Sequence, residues 1–171
     1  LKSWPELPVR HIMLRAVMML FLQLAPVGLC AVAPKQAHNA DVERLTQMRN
    51  RINAAMIGED RVNVRIFTDF IAEARRLQAT EDEAFGWLTY ACYYYNENAE
   101  EELNRTLPEA LKNIERLGYF DYYYDAKTLI VEKNLYEGKV MHAIDETKKM
   151  FKDAERRNSD YGVATSNTLM G

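Results

Sequence analysis

Cysteine, proline and glycine are all scarce in this chain, at two, five and seven of 171 residues. Two cysteines, Cys30 and Cys92, are too few for a disulfide-built scaffold. So few turn formers leave no material for the many tight hairpins of an all-β fold. Histidine is scarcer still: His11, His38 and His142 are three in number and scattered, which is not the spacing of a metal site. There is no Gly-rich phosphate loop, nucleophile elbow or HExxH pattern. The sequence therefore reads as one with no catalytic residue, no metal ligand and no cofactor. A basic surplus is also missing. Residues 34–171 carry 19 basic and 24 acidic side chains, the wrong sign for a phosphate-binding surface, and nucleic acid is not an expected partner.

Long apolar runs are absent with one exception. Residues 16–33 read AVMMLFLQLAPVGLCAVA, without a charge. Arg10 and Arg15 precede the run, and Ala31-Val32-Ala33 closes it with the small residues that signal peptidase reads. Pro26 and Gly28 interrupt it, so it falls short of the roughly 20 residues of a spanning helix. A cleaved signal peptide over 1–33, with a possible start at Met13, is favoured over an uncleaved anchor or a buried helix. Residues 34–40 read as a linker. Cys30 would suit a lipoprotein, but Leu29 before it is too large for that reading. Cys92 is then alone in the mature chain and reads as a small buried hydrophobe.

The chain as a whole is 48% hydrophobic, all ten tyrosines fall after the leader, and the periodicity there is helical. Val42, Leu45, Met48, Ile52 and Met56 recur at the spacing of one helix face, and Gly58 ends the run. Val64, Phe67, Ile71, Ala74 and Leu77 mark a second helix. Thr80 with Glu83, and Asn98 with Glu101, fit the capping-box pattern. They open helices carrying Ala84, Trp87, Leu88, Ala91 and Tyr94, then Leu103, Leu107, Leu111, Ile114 and Leu117. Pro108 predicts a kink or restart near Thr106. Asp121 opens a fifth helix with Ala126, Leu129, Ile130 and Tyr136. Val140, Ala143, Ile144, Thr147, Phe151 and Ala154 define a sixth, and a seventh starts near Asp160 and is cut short at Gly171. The expected caps Asp41, Thr80, Asp121 and Asp160 fall at near-equal intervals. A period of about 40 residues with two helices per unit marks a solenoid of stacked pairs. Ala84, Trp87, Leu88 and Tyr94 return in the next unit as Ala126, Leu129, Ile130 and Tyr136.

Two stretches resemble tetratricopeptide repeats: Gly138-Lys139-Val140-Met141-His142-Ala143-Ile144 with Met150 and Ala154, and Tyr161-Gly162-Val163-Ala164. The runs GYFDYYYDAKTLI (118–130) and GKVMHAIDETKKMFKDAERRNSDYGVA (138–164) are similar to the exported sensor domains of bacterial membrane histidine kinases and related regulators. The resemblance implies an all-α, tetratricopeptide-like right-handed solenoid over 41–171, of about three hairpins plus a truncated seventh helix. It further implies a non-catalytic, periplasmic sensing or protein-interaction module of a signal-transduction protein. In that family a transmembrane helix and a cytoplasmic output domain follow. Contact with the membrane would then run only through the leader or such a later helix. A free-standing exported scaffold or glycan-capture lipoprotein is the alternative. The ligand, whether peptide, protein or small molecule, is not specified.

In tetratricopeptide stacks the first helix of each pair lines the groove. With Trp87 and Leu129 taken as equivalent anchors, the implied binding positions are Phe85, Cys92 and Tyr95, then Lys127 and Asn134. The triplets Tyr93-Tyr94-Tyr95 and Tyr122-Tyr123-Tyr124 place successive rings about 100° apart, so each triplet must spread over more than one face. Packing against neighbouring hairpins is the expected use of most of these rings.

Overall fold

Alternate helices of this chain differ in how their apolar residues are spread, and that difference builds the fold. The computed structural model describes residues 39–58 and 63–171. The expected leader over 1–33, the start at Met13, Cys30 and the linker up to residue 38 lie outside them. Every element described is an α-helix: α1 Asn39–Met56, α2 Arg65–Arg76, α3 Thr80–Asn96, α4 Glu100–Leu117, α5 Phe120–Tyr136, α6 Val140–Arg157 and α7 Asp160–Met170. Helix α1 thus starts inside the stretch read as linker.

Each helix packs on the next one, and the odd helices also touch in series: α1 on α3, α3 on α5, α5 on α7. An odd helix in the middle of that row has neighbours on both sides. Accordingly α3 buries Ala84, Phe85, Gly86, Leu88, Thr89, Ala91, Cys92 and Tyr94, which go around the helix rather than along one stripe. The even helices keep one wet face. In α4 the buried residues Leu103, Thr106, Leu107, Ala110 and Ile114 recur at helical spacing, and charges fill much of the remainder.

The connections repeat more strictly than the helices. Among the described residues the positive-φ positions are Gly58, Gln78, Asn98, Gly118, Gly138 and Asn158, a series with one constant step. After five of them the next N–H donates to the carbonyl on the last turn of the helix: Ala79 to Ala74, Ala99 to Tyr94, Tyr119 to Ile114, Lys139 to Asn134 and Ser159 to Ala154, at 2.7–3.4 Å. This is the Schellman ending, which satisfies carbonyls that a helix C-terminus otherwise leaves open. At Gly118 φ is +82° and nothing lies within 4 Å of where a Cβ would stand, so backbone conformation rather than space favours glycine there.

Several local expectations give way to this period. Thr80 and Asn98 do not cap. The N-cap positions are Ala79 and Ala99, without side-chain bonds, and Asn98 sits in the left-handed turn instead. Glu83 is drawn off to bind Arg75 and Arg116. Asp121 and Asp160 stand inside their helices, and Ser159 is the true cap of α7, accepting from the Gly162 N–H at 3.1 Å. Helix α4 runs unbroken through Pro108. The proline sits on the exposed face, where losing one backbone bond does not expose a core group. Val42, Val140 and Ile144, read as stripe residues, are exposed. Helices α3, α5 and α7 start at positions 80, 120 and 160. That step sets the structural repeat, and on it Trp87 corresponds to Lys127 rather than to Leu129.

Candidate binding face on the odd helices

The five expected binding positions do not share one environment. Phe85 is only 4% exposed. The Arg49 guanidinium lies 4.1 Å over its ring, and Phe70 meets it edge-on at 6.1 Å. Cys92 is buried. Burial, helped by the charges of Asp125 and Glu132, pushes its thiol far above the ordinary range, so it is an inert packing group in this state. Tyr95 is half-buried near the end of α3. Lys127 is half-buried too, with its ammonium 5.2 Å from the Tyr123 ring centre. The Asn134 backbone carbonyl accepts the Lys139 N–H at 2.7 Å in the α5–α6 turn.

On the structural register Phe85, Cys92 and Tyr95 correspond to Asp125, Glu132 and Leu135. Lys127 and Asn134 correspond to Trp87 and Tyr94, which point differently. The alignment of Trp87 with Leu129 thus drew the five positions from two faces. Trp87 is partly buried and its Nε1 is enclosed without a partner, whereas Leu129 is fully in the core.

The register that the structure imposes brings forward residues that the periodicity argument passed over. Arg49 of α1 pairs with Asp82 of α3 at 2.7 Å. Glu81 of α3 accepts from the Tyr122 hydroxyl of α5 at 3.3 Å. Asp125 of α5 accepts from the Tyr161 hydroxyl of α7 at 2.6 Å. These three contacts cross α1–α3, α3–α5 and α5–α7 in turn, so they mark the odd-helix row from end to end. Asp125 was legible only by setting it against Phe85, its counterpart one repeat earlier: an acid stands where the preceding repeat has a buried ring.

The row is acidic. Helices α3, α5 and α7 hold Glu81, Asp82, Glu83, Asp121, Asp125, Glu132 and Asp160 against Lys127 and Lys133. Lys133 is committed to Glu100 and Asn104, each at 2.9 Å. Asp121 is exposed, and partial desolvation of its carboxyl raises it from its ordinary value. Asp125 goes up to about 6, by burial first and by the neighbouring Asp121 charge, although the Tyr161 hydrogen bond opposes the rise.

Several of the triplet tyrosines are spent on contacts between helices. Tyr93 tilts against Phe67 at 5.0 Å. Tyr124 is fully buried and its hydroxyl donates to Asp153 at 3.2 Å. Arg157 covers Tyr123 and Phe120. Among the described residues no group of three or more His, Cys, Asp or Glu could hold a metal ion, and no helix is long and apolar enough to cross a membrane. Comparison with protein-family models, curated proteins and solved structures finds no match for this chain.

Proposed function

We propose that this chain is a non-catalytic binding module of the tetratricopeptide kind. On this reading it is a right-handed solenoid of three helical hairpins and a seventh helix, exported by its leader. It would serve as the periplasmic sensing or protein-interaction part of a bacterial signal-transduction protein. The observation that carries the reading is the even recurrence of left-handed turns together with serial contacts between odd helices. A stack of this kind offers one extended face and couples neighbouring pairs, so a ligand lying across the row changes the tilt between them.

The complement of that face is a cationic segment. Of the seven carboxylates on α3, α5 and α7, Asp82 and Glu83 are taken by arginines; the other five, set against two engaged lysines, favour lysine- or arginine-rich peptides by steering and by pairing. Fluorescence polarisation of a labelled Lys/Arg-rich dodecapeptide against the full chain tests this, with a Glu-rich peptide as control. The reading expects saturable binding of the basic peptide alone, weakening with added salt and with Asp121→Asn. Equal binding of both peptides, or of neither, contradicts it.

A further inference from the structure

Seven large hydrophobic residues are exposed among the described ones, and five of them lie close together in the chain: Leu135, Tyr136, Val140, Met141 and Ile144. The first two end α5, and the other three occupy the first two turns of α6. The turn between the helices is tight, with the Lys139 N–H donating to the Asn134 carbonyl at 2.7 Å. The five therefore make one corner. The fold does not demand an apolar corner at this place. One repeat earlier the same positions hold Tyr95, Asn96, Glu100, Glu101 and Asn104, and Glu101 is exposed just as Met141 is.

Scattered apolar residues on a surface are ordinary, but these five present on the order of 500 Å² together, a size at which patches are contact sites. A stable dimer buries about 800 Å² on each partner. The corner reaches that area with its exposed rim of Lys139, His142, Asp145 and Lys148. Its charges are ordered as well. Glu137, held by Lys133 and Lys139 at 3.7 and 2.6 Å, stands in the turn before the apolar stripe of α6. Lys148 stands one turn beyond Ile144, on the same exposed side of the helix. A stripe with an acid at one end, a base at the other and apolar residues between is complementary to itself when reversed. The carboxylates of Glu137, Asp145 and Glu146 around the corner weigh against an anionic lipid surface.

We infer that the α5–α6 corner is a two-fold dimer interface, covered by the same corner of a second copy of this chain. The two α6 helices cross antiparallel. Met141 of each copy packs on Ile144 of the other, and Glu137 of each faces Lys148 of the other.

Sedimentation velocity of the full chain, from micromolar to hundred-micromolar concentration, tests this. A reversible monomer–dimer equilibrium is expected. Met141→Glu should weaken association at least about tenfold, the scale of a central contact residue. Val42→Glu, which sets the same charge at an exposed apolar site on α1, should leave it unchanged. Lys148→Glu should weaken it by a smaller factor. Met141→Glu restores the residue type of Glu101 in a first helical turn, where a carboxylate favours the helix, so the helical circular dichroism should be retained. A monomer at every concentration overturns the dimer. So does association undiminished in Met141→Glu, which places the contact elsewhere, the apolar run over 16–33 included. A monomer that pellets with phosphatidylglycerol vesicles, and ceases to do so in Met141→Glu, would assign the corner to lipid and overturn it too.

Discussion

Single residues carry the strain and the orphaned groups of this fold. Gln78 occupies a left-handed turn, with φ 58°, that Gly118 and Gly138 fill elsewhere in the series. A side chain in that conformation costs about 1–2 kcal/mol, and glycine gives back part of the gain through unfolded-state entropy. Gln78→Gly should therefore stabilise the chain by about 0.5–1 kcal/mol in urea melts, and Gly118→Ala should destabilise it by about 1 kcal/mol. Trp87 presents the opposite case, a buried indole N–H with no acceptor. Leaving such a donor unpaired costs about 1–3 kcal/mol. Trp87→Phe deletes the donor and keeps a ring, so it should cost under about 1 kcal/mol. Trp87→Ala should cost about 3 kcal/mol, the lower end for a large aromatic because the site is only partly enclosed. Equal losses in the two variants would show that the indole N–H has a partner.

At the scale of the helix, periodicity was readable and boundaries were less so. The apolar stripes of α2, α4 and α6 stand out because those helices keep one face in water. For α3 and α5 the sequence shows apolar residues on every side, and the stripe chosen through Trp87 caught part of the buried set. Thr80-x-x-Glu83 misled for a physical reason: an Arg75–Glu83–Arg116 cluster, at 2.8 and 2.9 Å, takes the glutamate that would have closed the capping box. The turns were half legible, because glycine marks three of six and glutamine or asparagine fills the others. Close helix contact depends on small residues whose role becomes visible only in the packed state. At Gly86 a Cβ would stand 2.7 Å from Ile71 Cγ1 and 2.9 Å from Phe70 Cδ1. Gly162→Ala forces Tyr124 or the Ala154 backbone to move, at a cost of about 1–3 kcal/mol. Because α7 packs on α5 and α6 and not on α1 or α2, the loss should appear in hydrogen exchange as weakened α6 and α7, with α1 and α2 spared. Uniform weakening would mean that the stack unfolds as a single unit.

Across the whole molecule, the all-α class was legible from spacing alone, and the register was not. Setting Ala84 and Tyr94 against Ala126 and Tyr136 matches residue types. Yet Tyr94 is 8% exposed and Tyr136 is 67% exposed, so the identity is chemical and not positional. The five binding positions taken from that alignment fall on two helix faces. Charge also acts at this scale. The Glu73 carboxylate is held below the usual range by its Arg76 hydrogen bonds, with Arg44 assisting against a burial penalty. Its contribution is present above the ordinary glutamate pKa and lost as pH falls through its own lower value. Glu73→Gln should therefore lower the melting temperature at pH 7, with the difference closing as the pH falls below that value. The continuous row of odd helices is the central feature of the fold, and nuclear Overhauser contacts in the full chain test that row most directly. The expected spectrum links Tyr122 to Glu81 and Tyr161 to Asp125, and shows Gly162 α-protons displaced by the Tyr124 ring. Contacts joining α2 to α4 and α4 to α6 in series, with none between α3, α5 and α7, would contradict it.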